Sequence, residues 1–381
     1  MTTIAKSTRL LSLDAFRGAT IAAMILVNNP GSWDVAYPQL RHAAWHGWTM
    51  TDMIFPFFLW IMGIAMTFSF AKRKESGASS ASLLTHALRR SAIIFALGII
   101  VNGFPFGVGA PFSWSTLRIP GVLQRIAICY FVATVIYLYS RVTTQIFWSA
   151  ALLIVYWAAM LLVPVPGYGA GLLNPVGNLC WYVDSHLLAG HTWIYAPAEG
   201  FDPEGLLSTI PAIATTLLGV LTGSWLRTER QPEEKTAWMF VAGLPLLLAA
   251  VISDMWLPIN KNLWSSSYVL LMGGWALLCF GAFYWLIDVK KDGRWLLPFR
   301  VFGMNAIVLY VVSELLAITL DMITLHGTNG NPVSVHGIVY TEVFASWLSP
   351  ANASLGYAIL FDAVLFGLGW VMWKKQWFVK V

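Results

Sequence analysis

The chain has 381 residues, of which 58% are apolar and only 11% charged. A soluble domain carries roughly 25% charged residues, so the composition excludes one and marks an integral membrane protein. The net charge of +5 comes from basic residues spread along short loops, with no basic patch, RNA motif or zinc spacing, which argues against a nucleic-acid partner.

Lys6 and Arg9 precede the first apolar run, near 10–29. That run ends in Val27-Asn28-Asn29-Pro30 without a small-x-small cleavage site, and so reads as an uncleaved signal anchor. Further runs long enough to cross the ~30 Å hydrocarbon core lie near 49–71, 86–103, 119–139, 146–163, 207–226, 236–256, 266–287, 298–320 and 353–373. The expected fold is an all-α integral membrane protein, a polytopic bundle of about ten transmembrane helices forming one domain over 1–381. Cys129, Cys180 and Cys279 are far apart and give no disulfide or metal framework.

Orientation follows from the basic residues. Lys6, Arg9, Lys72, Arg73, Lys74, Arg89, Arg90, Arg141, Arg227, Arg230, Lys235 and most basic residues after 289 fall on one side, against only Arg41, Arg118 and Lys261 on the other. Both termini are therefore expected in the cytoplasm. The external side then receives loops near 30–48, 104–118, 164–206, 257–265 and 321–352, with six of the seven histidines. The long 164–206 loop carries Trp181, Tyr182, Trp193 and Tyr195, which fits an ordered cap better than a linker.

Four constellations carry candidate chemistry. Asn28, His42 and Asp52 gather two polar loop groups and a carboxylate at one edge of the apolar slab. Polar groups near lipid are costly, and imidazole is the side chain whose ordinary pKa suits a general base. His42 and His46 are equivalent on these grounds, and Asp52 also fits the role of a helix cap. Asp202-Pro203-Glu204 reads either as an N-cap with its first turn or as a pair of carboxylates facing an amino sugar. Asp14, Arg17, Arg125, Glu314 and Asp362 lie inside apolar runs; Asp14 and Arg17, three apart, can pair along one helix face. Basic residues lining a cavity suit an anionic cofactor, and interhelical ion pairs are the structural alternative. Lys261-Asn262 and Asn305 place polar groups at helix ends, with a ligand role open for each.

Seven ordered blocks then match one family: Arg9-Leu-Leu-Ser-Leu-Asp14-Ala-Phe-Arg17-Gly with Val27-Asn28; Arg41-His42-Ala-Ala-Trp45; Asp52-Met-Ile-Phe-Pro56; Leu117-Arg118-Ile-Pro-Gly-Val-Leu-Gln-Arg125; Asp202-Pro-Glu-Gly205; Asn260-Lys-Asn-Leu-Trp264; and Gly303-Met-Asn305. The chain resembles the heparan-α-glucosaminide N-acetyltransferase family and its bacterial relatives, from about residue 9 to the C-terminus. The resemblance covers the membrane domain. It implies transfer of acetyl from cytosolic acetyl-CoA to the amine of a glucosamine unit across the membrane, with no metal, in a bacterial inner membrane and as a homodimer. It places the catalytic histidine on His42 and its partner asparagine on Asn28. At His46 the lysosomal enzyme has asparagine, which favours His42.

The mechanism expected from these residues has CoA held in a basic cavity open to the cytoplasm. Arg17 and Arg125 line it, with Arg89, Arg90, Arg300 and Asn305 as further contacts. His46, Trp45, Asp202, Glu204, Lys261 and Asn262 face the amino sugar. His42 takes the amine proton, Asp52 orients it and Asn28 donates to the oxyanion. A route through acetyl-His42 competes with direct transfer, and an amino-sugar permease or a surface-glycan O-acyltransferase are the alternative functions.

Overall fold

Apolar runs of 18 to 25 residues, punctuated by Ser, Asn and Pro, break this chain into helices at defined points. In a computed structural model, which describes residues 10–108, 111–326 and 332–379, these are α1 (Leu11–Asn28), α2 (Ile54–Glu75), α3 (Ser80–Gly103), α4 (Val122–Tyr139) and α5 (Val142–Leu162). They continue with α6 (Leu179–Leu187), α7 (Thr209–Leu226), α8 (Pro232–Asp254), α9 (Ser266–Tyr284), α10 (Leu297–Met304), α11 (Ala306–Met322), α12 (Val335–Ile338) and α13 (Pro350–Lys374). Lys6, Arg9 and Lys380, with parts of the loops near 104–118 and 321–352, lie outside the described residues. A two-stranded antiparallel hairpin, β1 (Thr324–His326) with β2 (Pro332–Ser334), is a minor feature of the 321–352 loop. Among the described residues, nine helices are long and apolar enough to cross a membrane, and a bent pair raises this to ten. The chain is an all-α multi-pass membrane protein.

Side-chain caps start several helices: Ser79 accepts from Ser82 N at α3, Asn178 from Trp181 N at α6 and Ser265 from Tyr268 N at α9. Proline in the first turn starts α8, α10 and α13, where the missing N–H costs nothing.

One expected span is corrected. The run near 298–320 is not one helix: it breaks at Asn305 into α10 and α11, bent by 81°. The Asn305 amide holds the break open to the C-terminal segment, donating to Trp377 O (3.0 Å) and accepting from Val379 N (3.1 Å).

The bundle is tight where glycines let backbones meet. Gly63 of α2 lies against Thr216 and Val220 of α7, and Gly219 of α7 lies against Trp60 of α2. Without a hydrophobic drive between helices in lipid, such close approach supplies much of the association. Rings of Phe16, Phe57, Trp60 and Phe280 fill the space beside α9. At the opposite end of the bundle from Arg73, the 164–206 segment closes over its own apolar core. There Tyr156 and Met160 of α5 pack with Leu179, Cys180, Phe201 and Leu263. That cap sets the roof of the site.

Candidate active site

The segment Thr49-Met50-Thr51-Asp52 leads into α2 with a capping box: the Asp52 side chain accepts from the Thr49 backbone while Thr49 accepts in return. Asp52 does more than cap. Its Oδ1 lies 2.6 Å from His42 Nδ1, and its Oδ2 accepts from Ala43 N (3.1 Å), Thr49 N (2.9 Å) and Thr49 Oγ1 (3.1 Å). The Asp52 side chain is fully buried, whereas His42 is 44% exposed. A carboxylate accepts only, so Nδ1 carries the proton and Nε2 presents the lone pair to the outside. Tyr268 pins the turn from behind, its hydroxyl donating to Asp52 O at 2.5 Å.

His46 is placed differently. Its Nδ1 faces the Asn260 amide at 3.3 Å, and burial pulls its pKa below the ordinary imidazole value. Among the described residues no carboxylate grips its ring as Asp52 grips His42; Asp254 acts on it only through its field. Trp45, beside it, donates to Leu173 O (2.8 Å) and packs edge-on against Phe201, tying the 41–48 loop to the cap.

Below the cap lies a charged cluster. Arg118 grips Asp202 with two nitrogens (2.8 and 2.7 Å) and reaches Glu204 at 2.7 Å; Lys261 Nζ stands 3.5 Å from Glu204. Burial alone would raise the Glu204 carboxyl, but Lys261, Arg118 and Arg125 outweigh it and hold the group down at about 2. Arg118 is in turn raised by Asp202 and Glu204 against the effect of its burial. Asp184, which the sequence reading did not single out, sits fully buried on α6 and accepts from Leu206 N (3.0 Å) and Asp202 N (3.4 Å). Gly205 has no room for a Cβ because the Asp184 carboxyl fills that space.

These contacts correct one expectation for Asp202. It is not the N-cap of the next helix, which starts at Thr209 after a series of turns. It is wholly buried, and its oxygens accept from Arg118, Trp193 N and Glu204 N. Glu204 is likewise enclosed, while Lys261 and Arg118 keep partial exposure. Asn262 is buried beside them.

At the other end, a cavity of about 360 Å³ opens among α1, α2, α3 and the α10–α11 break. Arg17, Arg73, His86, Arg90 and Asn305 line it. Arg17 pairs with Asp14 (2.7 Å), as the three-residue spacing anticipates, and donates to Gly303 O (2.7 Å). Arg90 stacks over Tyr130 at 5.0 Å, and its buried Nε has no partner among the described residues. A guanidinium so placed is chemically fit for an anionic ligand.

Arg125 does not share this cavity. It is buried at the cap end, donating to Ser208 Oγ (2.5 Å) and Gly205 O (3.3 Å) with its face over Trp264 at 5.0 Å. It lies in the first turn of α4, near the loops and not at the basic end. Arg89 is exposed on the far side of α3, and neither it nor Arg300 lines the cavity. Arg73 and His86, which do, were legible only as loop and helix-start residues.

A second, narrow apolar void of about 10 Å³ lies beside the first and shares part of its wall. Phe58, Ile126 and Ile307 line both; Met24, Phe55, Val122 and Tyr310 line the narrow one. One turn beyond Tyr310 on α11, Glu314 Oε1 accepts from Asn28 Nδ2 at 3.4 Å, and Glu314 stands within the field of Arg118. Lys261, in the same cluster, acts on Asp52. The structure thus joins His42 to Asp52 directly, and Asn28 to Glu314, at the cap end.

The profile of the heparan-alpha-glucosaminide N-acetyltransferase catalytic family matches residues 9–259. The chain belongs to that family. It is 33% identical to the human heparan-alpha-glucosaminide N-acetyltransferase over 357 positions, which cover 80% of this chain and 53% of the human protein. The mouse protein of the same name is 32% identical over 357 positions, covering 81% and 54%. The chain spans about half the length of these curated relatives. The family profile takes in Asn28, His42, Asp52, Arg118 and Asp202, and ends before Lys261 and Glu314.

Proposed function

We propose that this chain is a transmembrane N-acetyltransferase that carries acetyl from acetyl-CoA on its basic, cytoplasmic end to an amino sugar at its capped, outer end. The family supports the reaction class. The observation that carries the reading is the basic cavity lined by Arg17, Arg73 and Arg90, with a narrow apolar void beside it that shares Phe58, Ile126 and Ile307 and reaches Tyr310.

The physical problem is that CoA phosphates cannot enter hydrocarbon. Arg17, Arg73 and Arg90 hold the nucleotide at the basic mouth, and the uncharged pantetheine arm runs up the apolar neck, whose walls part to admit it. Glucosamine, or a short amino-sugar oligomer, meets the thioester beneath the cap. As the amine attacks the carbonyl carbon, His42 Nε2 takes its proton, and Asp52 stabilises the imidazolium through Nδ1. Asn28 donates to the oxyanion. The C–S bond then breaks, acetyl stays on nitrogen, and CoA leaves as the thiol after taking a proton. One base suffices, so direct transfer is favoured over acetyl-His42. Lys261 and Trp45 bound the acceptor side. The chain acts as one domain in a bacterial inner membrane, both termini inside.

The test uses sealed proteoliposomes with acetyl-CoA on one side and glucosamine on the other. His42→Ala should bind CoA normally and transfer nothing. Near-normal transfer by that variant, or transfer only when both substrates share a side, overturns the reading.

A further inference from the structure

Glu314 is a carboxylate deep in a transmembrane helix, and neither the base nor the nucleotide site uses it. Such residues are rare and tend to serve a site. Its Oε1 accepts from Asn28 Nδ2 at 3.4 Å, and the Tyr310 hydroxyl hydrogen-bonds the same carboxyl. Asn28 is the last residue of α1, half-buried, where the helix gives way to the loop that leads to His42. Tyr310, one turn before Glu314, lines the narrow neck.

We infer that Glu314 is a positioning residue which fixes the orientation of the Asn28 amide. This rests on the transferase reading. The Asn28 side chain can present either its oxygen or its nitrogen to the site, and only the nitrogen stabilises an oxyanion. A carboxylate accepts hydrogen bonds and does not donate them, so Glu314 draws the Nδ2 side toward itself. One N–H is used on Glu314 and the second stays on the same nitrogen for the thioester oxygen. Asp52 does for the His42 ring what Glu314 does for the Asn28 amide: in each case an acceptor-only group selects which face of an ambiguous side chain reaches the substrate. Arg118, whose field covers Glu314, also grips Glu204 and Asp202. Asn28 is thereby joined to the cluster under the cap.

The test is a double-mutant cycle on the full chain in lipid nanodiscs, with acetyl-CoA and glucosamine as substrates. Asn28→Ala should lower kcat by about 10²–10³-fold, the usual loss of an oxyanion donor, and Glu314→Ala by about 10–100-fold, with KM for acetyl-CoA unchanged. Glu314→Gln can offer Asn28 either an oxygen or an NH2, so it should recover only part of that loss. Because Glu314 acts through Asn28, the double variant should be no slower than Asn28→Ala alone. The inference falls if Glu314→Ala works at the wild-type rate or if the two losses multiply. Should Glu314→Ala fail to fold, as judged by lost acetyl-CoA binding, the cycle is run on Glu314→Leu, which keeps the volume, and the same outcomes decide. A fully active His42→Ala would instead remove the transferase reading itself, whatever the cycle gives.

Discussion

Asp52→Asn separates the two roles that one carboxylate holds. In the wild type, Oδ2 takes three donors from Ala43 and Thr49, and Oδ1 takes His42. The asparagine keeps its oxygen where the three donors are and must turn its NH2 toward His42. That amide donates, so His42 Nδ1 becomes the acceptor and the proton moves to Nε2, the nitrogen that should accept from the amine. The base is then present in the wrong tautomer. Loss of an orienting carboxylate in this manner costs up to about 10⁴ in kcat, and about 10³ is expected here because His42 is partly exposed and can regain the right tautomer by rotating. A factor of 10³ is about 4 kcal/mol of activation free energy. Stability should change far less, by about 1 kcal/mol, since the cap contacts survive. The assay is acetyl transfer in proteoliposomes beside a melting curve in detergent. A kcat within threefold of wild type, with a normal melt, would refute the argument; so would a collapsed melt, which would make Asp52 chiefly a cap.

Arg90→Ala should raise KM for acetyl-CoA about tenfold, roughly the worth of one partly desolvated phosphate contact, with kcat little changed; a normal KM removes Arg90 from the nucleotide site. Arg118→Ala leaves Asp202 buried without its charged partner and Glu204 with Lys261 alone, and should cost about 3–5 kcal/mol of stability, read as a lowered melting temperature. Gly219→Ala places a methyl on the Trp60 backbone, and should cost at least 1–3 kcal/mol by overpacking, so that the variant melts earlier with kcat per folded molecule retained. Burial raises the Asp184 carboxyl from 3.8 to about 7. The folded chain therefore keeps a proton that the unfolded chain has lost, and stability falls as pH rises from about 4 to about 7. Asp184→Asn should flatten that slope; an unchanged slope would show that Asp184 does not titrate in this window.

Acidic and basic residues were the least legible part of the chain, for a reason visible in Arg125 and Asp202. A charge inside or beside an apolar run announces that it needs a partner, but not which end of the bundle supplies it. Arg125, like Arg17, lies inside an apolar run, yet the start of α4 carries it up to Ser208 and Trp264, away from the basic cavity. Asp202-Pro203 has the local pattern of a helix start, and Arg118, 84 residues away, overrides it. Trp264, held at φ 50° by the turn that contains Lys261, is likewise set by its surroundings and not by its own preference.

Other features depend on local chemistry, and these could be read in advance. Run length against bilayer thickness gives the spans, because backbone groups in lipid must be satisfied within their own helix. The three-residue spacing gives the Asp14–Arg17 pair. His42 ahead of Asp52 marks a candidate site, because polar groups rarely sit beside an apolar helix without cause. What only packing decided is which partner each polar group meets. The hold of Asp52 on His42 but not His46, the reach of Asn28 to Glu314, and the break at Asn305 each join residues brought together by folding. Their energies depend on distance and burial, and no order of residues along a chain contains those.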